Sequence, residues 1–140
     1  MTTQRMLQIL VAMLGVVNAA TGLALLFAPQ WFFENIGSYP PFNRHYEGDL
    51  GAFVTAIGIG LLWAARNPRH YRALIGIALI SNALHLVNHI YDDVILAASL
   101  PQMMQGAIPV GFQMVLLGLA LYLASLPTSQ TNEIRTSPAI

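Results

Sequence analysis

The sequence predicts an all-α protein, a four-helix transmembrane bundle with both termini cytoplasmic, and three observations carry that expectation. Of its 140 residues 56% are hydrophobic and only 9% charged, against about 25% charged in an average soluble domain. Mean hydropathy is positive. Four apolar runs, each close to the ~20 residues a spanning helix needs, are separated by short turns rich in proline, aromatic residues or arginine. The composition also excludes several classes. A formal net charge of zero and the lack of any lysine speak against a nucleic-acid surface or a polybasic lipid-binding patch. Without cysteine there are no disulfides, thiolate metal ligands or Cys-ligated clusters, so any redox chemistry would need a bound cofactor or metal.

The first span is expected over about 6–28, an uncharged run after Arg5 in which Gly15, Ala19 and Gly22 would let another helix approach closely. A cleaved signal peptide is the competing reading, since Asn18-Ala19-Ala20 resembles a small-residue cleavage site. The apolar region exceeds the typical ~7–15 residues of such a signal, and the motif falls in its middle. From Gln30 to Asn43 the cluster Trp31-Phe32-Phe33 and the pair Pro40-Pro41 predict an interfacial loop with one short helical turn.

The second span, about 47–66, poses a problem of length. Its uncharged run from Leu50 to Ala65 has 16 residues and reaches only ~24 Å of a ~30 Å hydrocarbon core, so Asp49, Glu47 and His45 must be drawn in. Gly48, Ala52, Ala56 and Gly60 form a small-residue stripe suited to tight packing, which would turn His45 and Asp49 toward neighbouring helices. Pro68 stops this helix inside the basic turn from Arg66 to Arg72, where His70 is solvated. The third span, about 73–92, precedes a turn over 97–102, and the fourth, about 106–126, carries Gln113 and tolerates Pro109 near its start. Residues 127–140 read as a flexible tail. With both termini inside, the inner side holds Arg5, Arg66, Arg69, Arg72 and Arg135 and the outer side only Arg44, the arrangement the positive-inside rule prefers. That places the chain in a prokaryotic cytoplasmic membrane, with Glu34, Glu47, Asp49, Asp92 and Asp93 gathered near the outer face.

The candidate site is a polar seam on the third span. Asn82, His85, Asn88, His89 and Asp92 share one helical face, and ionisable residues inside a membrane segment point to a bundle interior or a cavity. Three readings follow. His85, His89 and Asp92 have the spacing of a metal site for zinc or non-haem iron, with a further ligand from Asp49, Glu47 or His45. Alternatively His85, His89, Asp92 and Asp49 act as acid–base groups on an apolar substrate or quinone, in a pocket completed by His45, Glu47, Asn82, Asn88 and Gln113. The third reading is a hydrogen-bonded network that only holds helices together.

The run Arg44-His45-Tyr46-Glu47-Gly48-Asp49-Leu50-Gly51-Ala52-Phe53, continuing into Gly58-Ile59-Gly60-Leu61-Leu62, resembles the second helix of the small four-span DoxX-like membrane proteins. The resemblance extends loosely over all four spans. It implies a link to quinone-dependent thiosulfate oxidation or to membrane-associated oxidative-stress complexes. The seam of His85, Asn88, His89 and Asp92 departs from that pattern. The sequence therefore predicts a small membrane enzyme or redox-complex subunit, with a noncatalytic accessory or ligand-binding protein as the alternative, either one able to form a homo-oligomer. A single copy encloses too little space for a channel.

Overall fold

The computed structural model describes residues 3–37 and 40–127, and the helices in chain order are α1 (Thr3–Phe27), α2 (Pro29–Asn35), α3 (Arg44–Ala64), α4 (Arg72–Ile95), α5 (Leu100–Gln105) and α6 (Ala107–Ser125). Among the described residues there is no strand. Helices α1, α3, α4 and α6 are each long and apolar enough to cross a membrane. Val17, Phe53, Ile59, Ile77, Ile80, Leu84, Val87, Phe112 and Val115 are all exposed on their outer faces. Water-soluble proteins do not expose so continuous an apolar belt, so the chain is a small polytopic membrane protein. Of the expected tail over 127–140, all but Pro127 lies outside the described residues.

Local chemistry accounts for the helix ends. Asn43 caps α3, its side-chain oxygen accepting from the backbone N–H of His45 at 3.0 Å and of Tyr46 at 3.4 Å. The helix thus starts at Arg44, before the expected 47, and its 21 residues rise ~31 Å, enough to cross the hydrocarbon core. Pro29 opens α2, where its missing N–H costs nothing, and the segment makes two turns rather than one. Helix α4 continues past the expected 92 to Ile95. In the turn beyond it Gln102 accepts from the Ser99 backbone N–H at 2.8 Å and starts α5.

The tightest packing is between α1 and α3, which run antiparallel. Gly15 lies against Leu62 and Gly58, Ala19 against Gly58, and Gly22 against Gly51 and Thr55. A Cβ on Gly51 would stand 2.8 Å from both the Gly22 carbonyl and the Leu26 nitrogen, so the backbones themselves are in contact. This corrects the stripe read from the sequence. A Cβ on Gly48 or Gly60 would meet nothing within 4 Å, and Ala52 and Ala56 are exposed. Positions seven apart drift only ~20° round a helix, so Gly51 and Gly58 stay on one partner. Steps of four drift ~40° each at 3.6 residues per turn, and the other row winds away from the contact.

The other contacts close the bundle. Helix α4 packs antiparallel on α6 through Asn82 and Val110 and, further along α4, through His89 and Gly106 at the head of α6. The 66–72 turn ties both ends of the described chain together: Arg69 Nε donates to Gln4 Oε1 at 3.1 Å, its Nη1 donates to the Leu126 carbonyl, and Gln8 Nε2 donates to the Arg66 carbonyl at 3.0 Å. Above this arginine end sits the apolar core, made of Leu7, Val11 and Leu14 from α1, Leu61 and Ala64 from α3, Ile75 and Ala78 from α4, and Leu117, Ala120 and Ala124 from α6.

Substitution at the α1–α3 contact tests this packing. Gly22→Leu and Gly58→Leu each force backbones apart and are expected to cost about 1–3 kcal/mol. Gly60→Leu, with open space around it, is expected to be near neutral. Urea or SDS unfolding in detergent micelles compares the three, and equal losses would refute the contact.

Candidate functional site

Directly above the apolar core the four spans line a partly open polar chamber of about 30 Å³. Its wall takes Asn18 from α1, Ile57 from α3, Ser81, Asn82 and His85 from α4, and Gln113 from α6. Asn18 and Asn82 are buried, at 7% and 9% exposure. Each of the three amides finds a partner that its helix position supplies. Asn18 Nδ2 donates back to the Leu14 carbonyl one turn earlier at 2.8 Å, which leaves its Oδ1 to accept from Gln113 Nε2 at 3.0 Å. Asn82 Nδ2 donates to the Val110 carbonyl at 2.8 Å. These bonds link α1 to α6 and α4 to α6 where hydrocarbon on all sides makes an unpaired polar group costly.

The chamber lies at mid-span. At 1.5 Å per residue, Asn82 and His85 are about 2 Å from the midpoint of α4, and Asn18 and Gln113 about 4.5 Å from the midpoints of α1 and α6, toward the acidic end. The chamber is therefore deeper than the outer ends of the helices. Its volume accommodates about one or two waters, well short of the ~300 Å³ at which pockets for drug-sized ligands begin.

His85, half-buried, stands at the chamber wall, and its ring centroid is 4.7 Å from that of His89 one turn on. His89 in turn fills the space over Gly106, where a Cβ would come within 2.8 Å of Nδ1. Further along α4, Asn88 is exposed and its Nδ2 donates to Asp92 Oδ2 at 3.0 Å. Asp93 is half-buried, and its Oδ2 has no hydrogen-bond partner among the described residues. No group of three histidine, aspartate or glutamate side chains comes together to hold a metal ion among the described residues.

The remaining residues of the predicted site stand elsewhere. His45 Nε2 and Asp49 Oδ2 are 3.5 Å apart at the start of α3, with side chains 78% and 59% exposed, so they face outward rather than toward other helices. Two residues from Gly51 is ~200° round the helix, which puts Asp49 opposite the face that packs on α1. Glu47 is half-buried beside them, outside the chamber wall. The sequence reading missed Asn18, seen there only as part of a cleavage-like pattern, and gave no role to Ser81. A lone asparagine in an uncharged span is itself a signal, because its amide needs a partner within the membrane.

No family model, curated protein or solved structure matches this chain. What the site does is read from its own geometry.

A double-mutant cycle tests the Asn18–Gln113 bond. Asn18→Leu and Gln113→Leu each strand an amide partner inside the bundle and are expected to cost about 0.5–1.5 kcal/mol, with the double variant about 0.6 kcal/mol milder than the sum. Unfolding in detergent measures all three, and strict additivity would remove the bond from the account.

Proposed function

We propose that this protein is a proton-exchanging subunit of a membrane oxidoreductase complex in a prokaryotic cytoplasmic membrane. The observation that carries the reading is the position of His85, set into a polar chamber at mid-span with a second imidazole, His89, one turn nearer the acidic end. Histidine titrates near neutral pH, and a neutral imidazole both gives and takes a proton. A proton taken up at the acidic end would reach His89 first and His85 next. Asp92 and Asp93 supply carboxylates at the mouth of that route. The chamber's polar lining would stabilise charge on His85, a service a dry apolar core cannot give.

Further support comes from sequence. The second span resembles that of DoxX-like proteins, for which quinone-linked oxidation is implied, and quinone reduction consumes protons. The arginine distribution favours a cytoplasmic position for the end that holds the 66–72 turn. The acidic end then faces outward. In this scheme His45 and Asp49 belong to a surface pair at the headgroup level, and the apolar reaction partner reaches His89 from the side, since the chamber itself is too small to hold it.

The second reading, a noncatalytic accessory protein with a purely structural network, is favoured by that small volume. One experiment separates the two. Solid-state NMR of ¹⁵N-histidine protein in bilayers, taken from about pH 5 to pH 8, reads the protonation of each imidazole. Proton exchange predicts that His85 and His89 titrate in two coupled steps. His89→Gln then reduces them to one step. If both rings hold a single neutral tautomer throughout, proton exchange is wrong and the structural reading stands.

A further inference from the structure

We infer that the exposed side of α4 is a homodimer interface, where α4 of a second copy of this chain packs parallel to it and Asn88 pairs with its own counterpart. The helix carries the spacing for such a contact. Ile77, Ser81, Leu84, Asn88, Tyr91 and Ile95 recur at alternating steps of four and three, the heptad spacing that keeps one stripe against a partner helix. Ile77, Leu84, Tyr91 and Ile95 are exposed, and so is Asn88. The stripe stands away from the α6 contact, which uses Asn82 and His89. Ser81, one heptad below Asn88, belongs to the chamber wall, so the stripe runs along the edge of the site.

Asn88 decides between a protein contact and plain contact with lipid. It lies about 7 Å from the midpoint of α4, inside a hydrocarbon core that extends ~15 Å either side of its centre. One N–H of its amide donates to Asp92, while its Oδ1 and second N–H have no hydrogen-bond partner among the described residues. Lipid tails cover isoleucine and leucine as well as another helix does, but they cannot satisfy an amide. Ile80, Val87 and Val94 form a neighbouring stripe, equally exposed, that lipid alone satisfies. The groups left over on Asn88 are one donor and one acceptor, so the amide is complementary to itself. Two copies inserted the same way are related by a twofold axis along the membrane normal, which brings each residue of α4 to its counterpart at equal depth. Two Asn88 side chains exchange a pair of hydrogen bonds there, and a single asparagine in such a stripe fixes register and pairing between parallel helices. His89, one residue and ~100° further round, stays clear of the contact and keeps its approach from the side.

The chain has no cysteine, so single introduced cysteines report contacts between copies without background. In the full chain in phosphatidylcholine vesicles oxidised with copper phenanthroline, Leu84→Cys and Tyr91→Cys are expected to form disulfide-linked dimers. Val87→Cys and Val94→Cys, as exposed but on the neighbouring stripe, are expected to stay mostly monomeric. Energy transfer between copies labelled at their amino termini, over a range of protein-to-lipid ratios, gives the dimer affinity. Asn88→Leu is expected to weaken it by about 3- to 30-fold, the worth of hydrogen bonding between spanning helices. The substitution sits on an exposed face and leaves the contacts among the four spans intact. The proposal is overturned by a parent that stays monomeric at every ratio, by cross-linking at Val87 and Val94 equal to that at Leu84 and Tyr91, or by an Asn88→Leu protein that dimerises as tightly as the parent.

Discussion

The structure depends on the direct backbone contact of α1 with α3. In a bilayer, lipid tails offer a helix as good an apolar environment as another helix does, so association must come from close packing and polar contacts. Gly15, Gly22, Gly51 and Gly58 supply the closeness, and Ala19 and Thr55 complete the fit. Once that face of α1 is committed to α3, the rest of α1 has only one orientation. Leu7, Val11 and Leu14 then turn into the core, and Asn18, one turn beyond Leu14, turns toward α6.

The interior is divided along its length. From the arginine end to the middle it is apolar and buried, and at the middle it becomes a belt of neutral amides, Ser81 and His85. The order follows from cost. Amides inside the membrane are tolerated where each has a partner, and here the partners come from the helix's own preceding turn, from α6, and from a carbonyl near Pro109 at the start of α6. The closed core on one side keeps the belt from opening toward the arginine end. Toward the acidic end the lining continues as His89 against Gly106, then the carboxylates at the end of α4. Polarity thus rises in one direction only.

Much of the fold was legible in the sequence because spanning helices are a matter of length and hydropathy, and the arginine turn with Pro68 punctuates them clearly. What was hidden was rotation. Two rows of small residues run along α3, and only the partner decides which one packs. Choosing Gly48, Ala52, Ala56 and Gly60 turned His45 and Asp49 inward when they face out. The seam on α4 was visible because polar residues recur at helical spacing within one segment. Asn18 was not, because the chamber takes one residue from α1 and one from α6, 95 positions apart, and no local period marks such a pair.

The arrangement of α4 also bears on which chemistry its histidines can do. Two imidazoles at i and i+4 offer a metal two ligands, and a stable site needs at least a third. Asp92, the carboxylate at the right spacing, is instead engaged by Asn88 on the exposed side of the helix. The tilted rings of His85 and His89 stand 4.7 Å apart with no third ligand gathered beside them among the described residues, which leaves the pair short of a stable metal site but near enough for the proposed passing of a proton. Under the proposed proton exchange, a chamber that holds a water or two but no substrate puts the apolar partner at the helix surface rather than within the bundle.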